Sequence, residues 1–171
     1  MENNTIKLSL FDVTDLNNPT EIAKYTIDGY YASSTALNDP KAFLFDLQKQ
    51  LLVIPVSVSF YGELNQSTQV IPPVIGQSGS ISPIYLEHWQ GACVFNVNPN
   101  SGFTLKGTVT HLDAASFDSF GYVNDTLYYG MQNNLVTRSL YIGNTLYTVS
   151  NAEVKLNSLT DMSEITAVNL S

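Results

Sequence analysis

The chain has 171 residues, enough for one domain with its own core; 44% of them are apolar and only 13% are charged. The formal net charge of −8 argues against DNA and RNA as partners, because proteins bind phosphates mainly through Lys and Arg. The single cysteine, Cys93, excludes an internal disulfide, and no apolar run is long enough to predict a membrane span.

The first predicted elements are two strands within residues 6–27, joined by a turn rich in Asn. A second hairpin covers 41–45 and 51–58. Its second strand is a continuous apolar run, and Pro55 within it predicts a bulge or an open edge, because proline has no N–H to donate. Residues 59–88 are predicted to be a long insert, since they contain Gly and Pro and lack a clear period.

The pattern then repeats. Leu-Phe-Asp-Val at 10–13 returns as Val-Phe-Asn-Val at 94–97, and each copy leads through a turn into an alternating strand, the second at 103–109. Residues 113–136 are predicted to be a second loop. A hairpin at 138–149 turns at Gly143-Asn144, a two-residue hairpin signal, and a shorter third copy of the first motif covers 154–168.

Ten strands in alternating hairpins predict an all-β fold of antiparallel four-stranded blades, about two and a half blades of a β-propeller in a single unit, 1–171. We expect a half blade at 6–27 and a first full blade at 41–112 that contains the insert 59–88. A second full blade is expected at 137–171, preceded by the loop 113–136.

The segments SLFDVTDLNNPTE, KAFLFDLQKQLLVIPVSV, GACVFNVNPNSGFTLKG and RSLYIGNTLYTVSNAEVKLNSLTDMSEITAVNL carry a resemblance that covers residues 6–171. Their order and spacing are similar to those in the C-terminal part of secreted β-propeller-domain proteins of archaea and bacteria. The resemblance implies a propeller of unassigned function in an extracellular or cell-surface protein.

A ring of blades needs at least about four, so two and a half cannot close by themselves. We therefore expect a fragment that lacks its signal peptide. Either the remaining blades of a longer chain cover its exposed edges, or it forms a homodimer through them.

Aromatic side chains of the two inserts, together with the adjoining Trp89, are the candidate binding residues, because such groups offer both an apolar body and, in Tyr and Trp, a polar end. The alternative is that they cover the core and that the inserts are plain surface loops. The candidates are Phe60, Tyr61, Tyr85, Trp89, Phe117, Phe120, Tyr122 and Tyr128.

Metal and catalytic motifs are sparse. Asp12, Asp15 and Asn17 could supply oxygen ligands to calcium, but the same residues fit an ordinary Asx turn and lack the glycine and glutamate of an EF-hand loop. His88, His111 and Cys93 are too few and too dispersed to predict a zinc site. No cofactor is expected, and no residue is singled out as catalytic.

The sequence favours a non-enzymatic module that binds a protein or a glycan through 59–88 and 113–136. The alternative is part of a secreted enzyme whose site lies at the propeller axis, near Asp39 and Asp46, and is completed by other blades.

Overall fold

In this computed structural model, residues 5–62, 85–118 and 121–170 are described. Their strands form a sheet of two, a sheet of six and a sheet of four, all with antiparallel pairing. The strands are β1 (Ile6–Asp12), β2 (Thr20–Ile27), β3 (Tyr31–Ser33), β4 (Leu44–Asp46), β5 (Leu51–Gly62), β6 (Tyr85–Asn98), β7 (Gly102–Val109), β8 (Val123–Asn124), β9 (Arg138–Ile142), β10 (Thr145–Val149), β11 (Glu153–Ser158) and β12 (Glu164–Asn169). The helix α1 covers Asp125–Gly130, and single 3-10 turns cover Thr35–Leu37, Pro40–Ala42, Ala114–Ser116 and Gln132–Asn134.

The predicted fold class is confirmed. The half blade is the pair β1–β2, the first full blade has the order β4-β5-β6-β7, and the second full blade has the order β9-β10-β11-β12. The two hairpins β4–β5 and β9–β10 therefore occupy equivalent places, first and second, in successive four-stranded sheets. At the β9–β10 turn Gly143 has a φ of 60°, a conformation that glycine adopts without strain.

The inserts differ from the prediction. Strand β5 continues to Gly62 and β6 begins at Tyr85, so both ends of the expected insert 59–88 are paired strand. The expected loop 113–136 contains α1, two 3-10 turns and the short strand β8. These elements were missed because β8 and the 3-10 turns cover only two or three residues each and α1 covers fewer than two helical turns, too little to show a periodic pattern.

The first full blade is buried on both faces, which explains its continuous apolar run. The alternate residues Leu52, Ile54, Val56 and Val58 pack towards the half blade, with Phe95 of β6. Leu51 and Val53 point the other way and pack with Val94 and Leu146 against the second full blade. A strand covered on both sides has no face for polar residues, so its sequence does not alternate.

Pro55 lies at an open edge, as predicted. On that side of β5, β4 pairs with 51–53 and β3 pairs with 57–59, which leaves a gap between them. The Pro55 carbonyl in this gap accepts a hydrogen bond of 2.5 Å from the Ser34 hydroxyl. The missing N–H of the proline therefore removes no hydrogen bond between β5 and its neighbours on this side.

A β-bulge lies between the last two strands of each unit, that is, of the half blade and of both full blades. The register shifts between Leu10 and Phe11 in the half blade, between Val94 and Phe95 in the first full blade, and between Leu156 and Asn157 in the second. Leu10, Val94 and Leu156 are therefore structurally equivalent, and this equivalence defines which face of each sheet is which.

Gly91 packs too closely against β7 and the Trp89 ring to leave room for a side chain, and this allows a prediction about stability. A methyl group at Gly91 would overlap the backbone carbonyl oxygen of Val109 and come within 2.8 Å of the Trp89 ring, whereas one at Gly130 would meet nothing within 4 Å. We expect Gly91→Ala to lower the free energy of unfolding by about 1–3 kcal/mol, as overpacking does. The control Gly130→Ala should change it by less than about 1 kcal/mol. Urea unfolding measures both, and equal effects would contradict the packing described for Gly91.

Candidate functional site

The structure brings the two predicted binding segments together at one end of the first full blade. Strand β8 pairs with β6 through Glu87↔Asn124 and His88↔Val123, close to the point where the chain leaves β5 at Gly62 and returns at Tyr85. We call α1 together with these strand ends the hairpin-end surface. Sequence reasoning could not place the two segments side by side, since a two-residue strand carries no periodic signal.

His88 holds α1 against the sheet. It is buried, its Nδ1 lies 2.8 Å from the Ser59 hydroxyl on the paired strand, and its Nε2 is bonded to the Asp125 carboxylate. The Tyr128 ring stacks on the imidazole with centroids 4.4 Å apart and planes 11° apart. Asn124 caps the helix by accepting a hydrogen bond from the Leu127 N–H. The network thus fixes both the position and the orientation of α1.

Ser59, His88 and Asp125 have the residue types of a hydrolytic triad, but the arrangement serves packing. Ser59 is only 9% exposed and lies inside the β5–β6 ladder directly opposite His88. A nucleophile must reach a substrate carbonyl, and the Ser59 hydroxyl is largely closed to solvent. We interpret the three residues as an anchor for α1.

Glu87, beside this anchor, is a carboxyl group with a strongly altered affinity for protons. Partial burial raises the pKa of Glu87 to about 7, and the neighbouring charge of Asp118 and a hydrogen bond with it add to the effect. The same two carboxyls, after burial itself, help raise the pKa of Tyr122 to about 12. The negative charge of Asp118 disfavours ionisation of Glu87, because like charges repel.

Several aromatic candidates prove to be core residues. Trp89 and Tyr122 are 9% and 8% exposed and belong to the cluster under the half blade, so we no longer assign them a contact role. Phe60 packs on Tyr122 with ring centroids 5.4 Å apart. The sequence placed these residues in or beside loops, but Phe60 and Trp89 belong to the extended strands β5 and β6 and, with Tyr122, pack in the core.

The remaining candidates are distributed differently. Tyr128 is half-buried on His88, whereas the adjacent Tyr129, a further aromatic residue of the 113–136 insert, is 66% exposed. Phe117 lines a groove between the two full blades. The side chains of Tyr61 and Tyr85 lie outside the described part of the structure, as does Phe120.

The groove between the full blades is the second polar feature. It has a volume of about 550 Å³, and its walls come from the end of β7, the segment after it, β11 and β12. His111 lies buried at its base, with Nδ1 2.9 Å from the Ser150 hydroxyl and Nε2 2.8 Å from the Thr148 hydroxyl. Burial lowers the pKa of His111 to about 4, helped by Lys155, despite the Glu153 carboxylate 3.6 Å away.

The carboxylates among the candidate calcium ligands form hydrogen bonds within their own turn. An oxygen of Asp12 accepts the Thr14 N–H at 2.8 Å, and an oxygen of Asp15 accepts the Asn17 N–H at 3.0 Å, which is Asx-turn geometry. Among the residues that the structure describes, no three His, Cys, Asp or Glu side chains are grouped closely enough to hold a metal ion.

Asp39 and Asp46, the residues of the enzyme alternative, join the full blades near their inner strands. Arg138 of β9 donates to the Asp39 carboxylate, and the Tyr141 hydroxyl donates to that of Asp46. The bond from Tyr141 is the main reason that the pKa of Asp46 is lowered.

A family model described as "Beta propeller domain" matches residues 1–162, in agreement with the stacked four-stranded sheets. The chain belongs to the beta propeller domain family. The predicted kinship is thereby confirmed at the level of the propeller. In the described part of this propeller chain, no helix has the length and apolar content needed to span a membrane.

Two archaeal proteins described as uncharacterized show local similarity. One, from Methanocaldococcus jannaschii, is 40% identical over 50 residues, which is 29% of this chain and 8% of that protein. The other, from Archaeoglobus fulgidus, is 37% identical over 60 residues, 35% of this chain and 9% of that protein. The matched regions thus span less than a tenth of these relatives. No solved structure matches.

The opposite pKa changes of His111 and Glu87 predict how stability depends on pH. His111 titrates near 4 when folded and near 6.5 when unfolded, so the unfolded chain binds more protons and stability rises with pH between these values. This contribution amounts to about 3 kcal/mol. Glu87 titrates near 7 when folded and 4.5 when unfolded, so its contribution falls as pH rises through that window.

We therefore expect the two contributions to oppose each other between about pH 4.5 and 6.5 in the unsubstituted protein. Glu87→Gln should make the free energy of unfolding rise more steeply with pH, and His111→Gln should make it rise less steeply or fall. Urea titrations across this range measure the slopes. Parallel slopes in all three proteins would refute the assignment.

Proposed function

We propose that this propeller segment is a non-enzymatic contact module that binds a protein or glycan partner at the hairpin-end surface. The observation that carries the proposal is the β6–β8 pairing, which joins the base of the 59–88 insert to the helix of the 113–136 segment. Exposed Tyr129 and Leu127 of α1 then project from a supported helix. Tyrosine supplies both apolar area and a hydroxyl, as binding surfaces commonly require.

The support of α1 favours binding, because a surface that is already ordered loses less entropy when a partner associates. Tyr128 is fixed by stacking on His88 and by a hydrogen bond to Ser57, and Tyr129 packs edge-on against Tyr128 with centroids 5.7 Å apart. The contact with Tyr128 therefore restricts the Tyr129 ring, while most of its surface stays exposed.

We do not extend the proposal to an enzyme with a site at the propeller axis. Such a site would need Asp39 and Asp46 to act on a substrate, and both carboxylates already accept hydrogen bonds from β9. Their contacts hold the two full blades together.

Replacing Tyr129 tests the contact surface. We expect Tyr129→Ser to reduce binding to a glycan microarray or a displayed peptide library by about tenfold or more, the loss typical of an aromatic anchor. Phe11→Ser is the control, because Phe11 is a half-exposed aromatic residue on β1 of the half blade, away from the hairpin-end surface. Both variants should keep the melting temperature of the parent protein. Unchanged binding in Tyr129→Ser, or equal loss in both variants, would contradict the proposal.

The insert is tested by exchange. Residues 65–82 are replaced by a short Gly-Ser linker, which leaves the whole of β5 and β6 in place, including the Ser59–His88 contact. We expect the thermal melt to be retained and partner binding to fall. A deletion that began at 59 would remove strand and unfold this end of the blade. Full binding by the exchanged protein would confine the contact to α1.

We also propose that the outer face of the second full blade is covered by another propeller sheet. The strand register places these apolar residues on that face: Leu140, Ile142, Tyr147, Val149, Val154, Leu156 and Val168. The bulge equivalence supports the proposal, because Leu10 and Val94 each pack against the sheet that follows, and Leu156 is their counterpart. The covering sheet comes from further blades of a longer protein or from a second copy.

Sedimentation of the isolated chain tests this proposal. We expect self-association, with the mass rising with concentration from 18.8 kDa towards twice that value, and we expect Ile142→Lys to suppress it. Ile142 is 64% exposed, so the substitution leaves the core intact. A strictly monomeric parent protein at all concentrations would argue against a second copy as the covering sheet.

We propose an extracellular or cell-surface location, which the resemblance to secreted propeller proteins supports. Fractionation of the source cells with an antibody against the chain tests this location, and recovery only in the cytosol would contradict it.

A further inference from the structure

The groove between the two full blades has the features of a ligand site, and its lining residues are not those of the hairpin-end surface. We propose that it binds an organic cation, an ammonium or guanidinium group, either of a free amine or of a Lys or Arg side chain on a partner. The groove volume of about 550 Å³ falls in the range of small-molecule sites. The proposal does not depend on the function proposed above.

The charges of the lining residues select the sign of the ligand. Asp113, Glu153 and Glu164 contribute three carboxylates. Among the lining residues that the structure describes, Lys155 is the single Lys or Arg side chain. Its ammonium lies 3.0 Å from the Thr110 carbonyl oxygen, 3.7 Å from Glu153 and 3.8 Å from Glu164. His111 is neutral at pH 7, since burial lowers its pKa to about 4. The groove therefore keeps a net negative charge, which attracts cations and repels anions.

Asn157 adds an unused acceptor to the wall of the groove. Its side-chain N–H donates to the Met162 carbonyl at 3.1 Å, while its Oδ1 has no hydrogen-bond partner and the residue is only 5% exposed. A buried acceptor without a donor costs about 1–3 kcal/mol. Because the oxygen is shielded from solvent, the Asn157 side chain must shift towards the groove before an N–H of the bound cation can supply this donor.

The spacing of the groups favours an extended cation over a metal ion. In the described residues no three metal-ligating side chains are grouped around one point, so the carboxylates cannot close on a single ion. A guanidinium or alkylammonium group instead spreads several N–H donors over a few ångströms and suits carboxylates on different strands. Phe117 also lines the groove, and an aromatic ring attracts a cation that lies over its face.

Binding is measured on the intact chain by ¹⁵N NMR titration with agmatine and, in a second arm, with acetyl-Gly-Arg-Gly-amide. We expect both to shift the Asn157 side-chain amide and the backbone amides of 110–113 and 153–157. The tighter of the two ligands identifies the source of the cation, a free amine or a protein side chain. Maltose serves as the uncharged, hydroxyl-rich comparison ligand.

The variant D113N/E164Q removes two charges from the groove, and Asn at 113 can still accept the Ala115 N–H that caps the following turn. We expect it to weaken agmatine binding about tenfold or more. The control D12N/D15N removes the same charge from the half-blade turn, where Asn can keep both Asx bonds, and should bind as the parent does.

Three results would overturn the proposal: no shift of these amides with either cation, equal weakening in both variants, or larger shifts with maltose. The first means no cation site, the second a general attraction to an acidic protein, and the third a sugar site. A failure of the Tyr129 test leaves these measurements unaffected, because the two surfaces share none of the substituted residues.

Discussion

Burial of the first full blade on both faces is the constraint on which the rest of the structure depends. Strand β5 supplies Leu52 and Ile54 to one interface and Leu51 and Val53 to the other, and β6 does the same with Phe95 and Val94. The half blade and the second full blade are positioned by these two cores. Each must present an apolar face towards the first full blade, because unmatched apolar surface against water costs about 25 cal/mol per Å².

Both polar sites arise where this stacking leaves room. At one end of the first full blade, the strands β5 and β6 extend beyond their neighbours, and β8 with α1 covers part of the extension through His88. Between the full blades, the polar residues of β11 meet the end of β7, so an aqueous groove replaces the apolar contact found nearer the inner strands. Along the inner strands, hydrogen bonds from Arg138 and Tyr141 to the first full blade keep the sheets together.

Much of the fold could be predicted from local pattern. The alternation in 103–109, the Gly143-Asn144 turn and the repeated Leu-Phe-Asp-Val motif led to the ten strands, all of which are present. The candidate site was harder to predict from the sequence. Trp89 and Tyr122 had to be assigned to core or surface, and that depends on which sheet lies opposite them. Tyr129 and Asn157 have no sequence signature, because exposure and a missing hydrogen-bond donor are properties of the surroundings and not of the residue.

The sequence by itself determined the blade type, the order of the hairpins and a break in the strand pairing at Pro55, either a bulge or an open edge, since backbone propensity, turn chemistry and a missing N–H act within a few residues. Only the tertiary structure decided that 59–88 and 113–136 meet at one end, that the bulge recurs in every unit, and that acidic side chains of the 113–136 segment and of the second full blade face a common groove. These features depend on residues far apart in the chain, and their relative positions are set by the register and stacking of whole sheets.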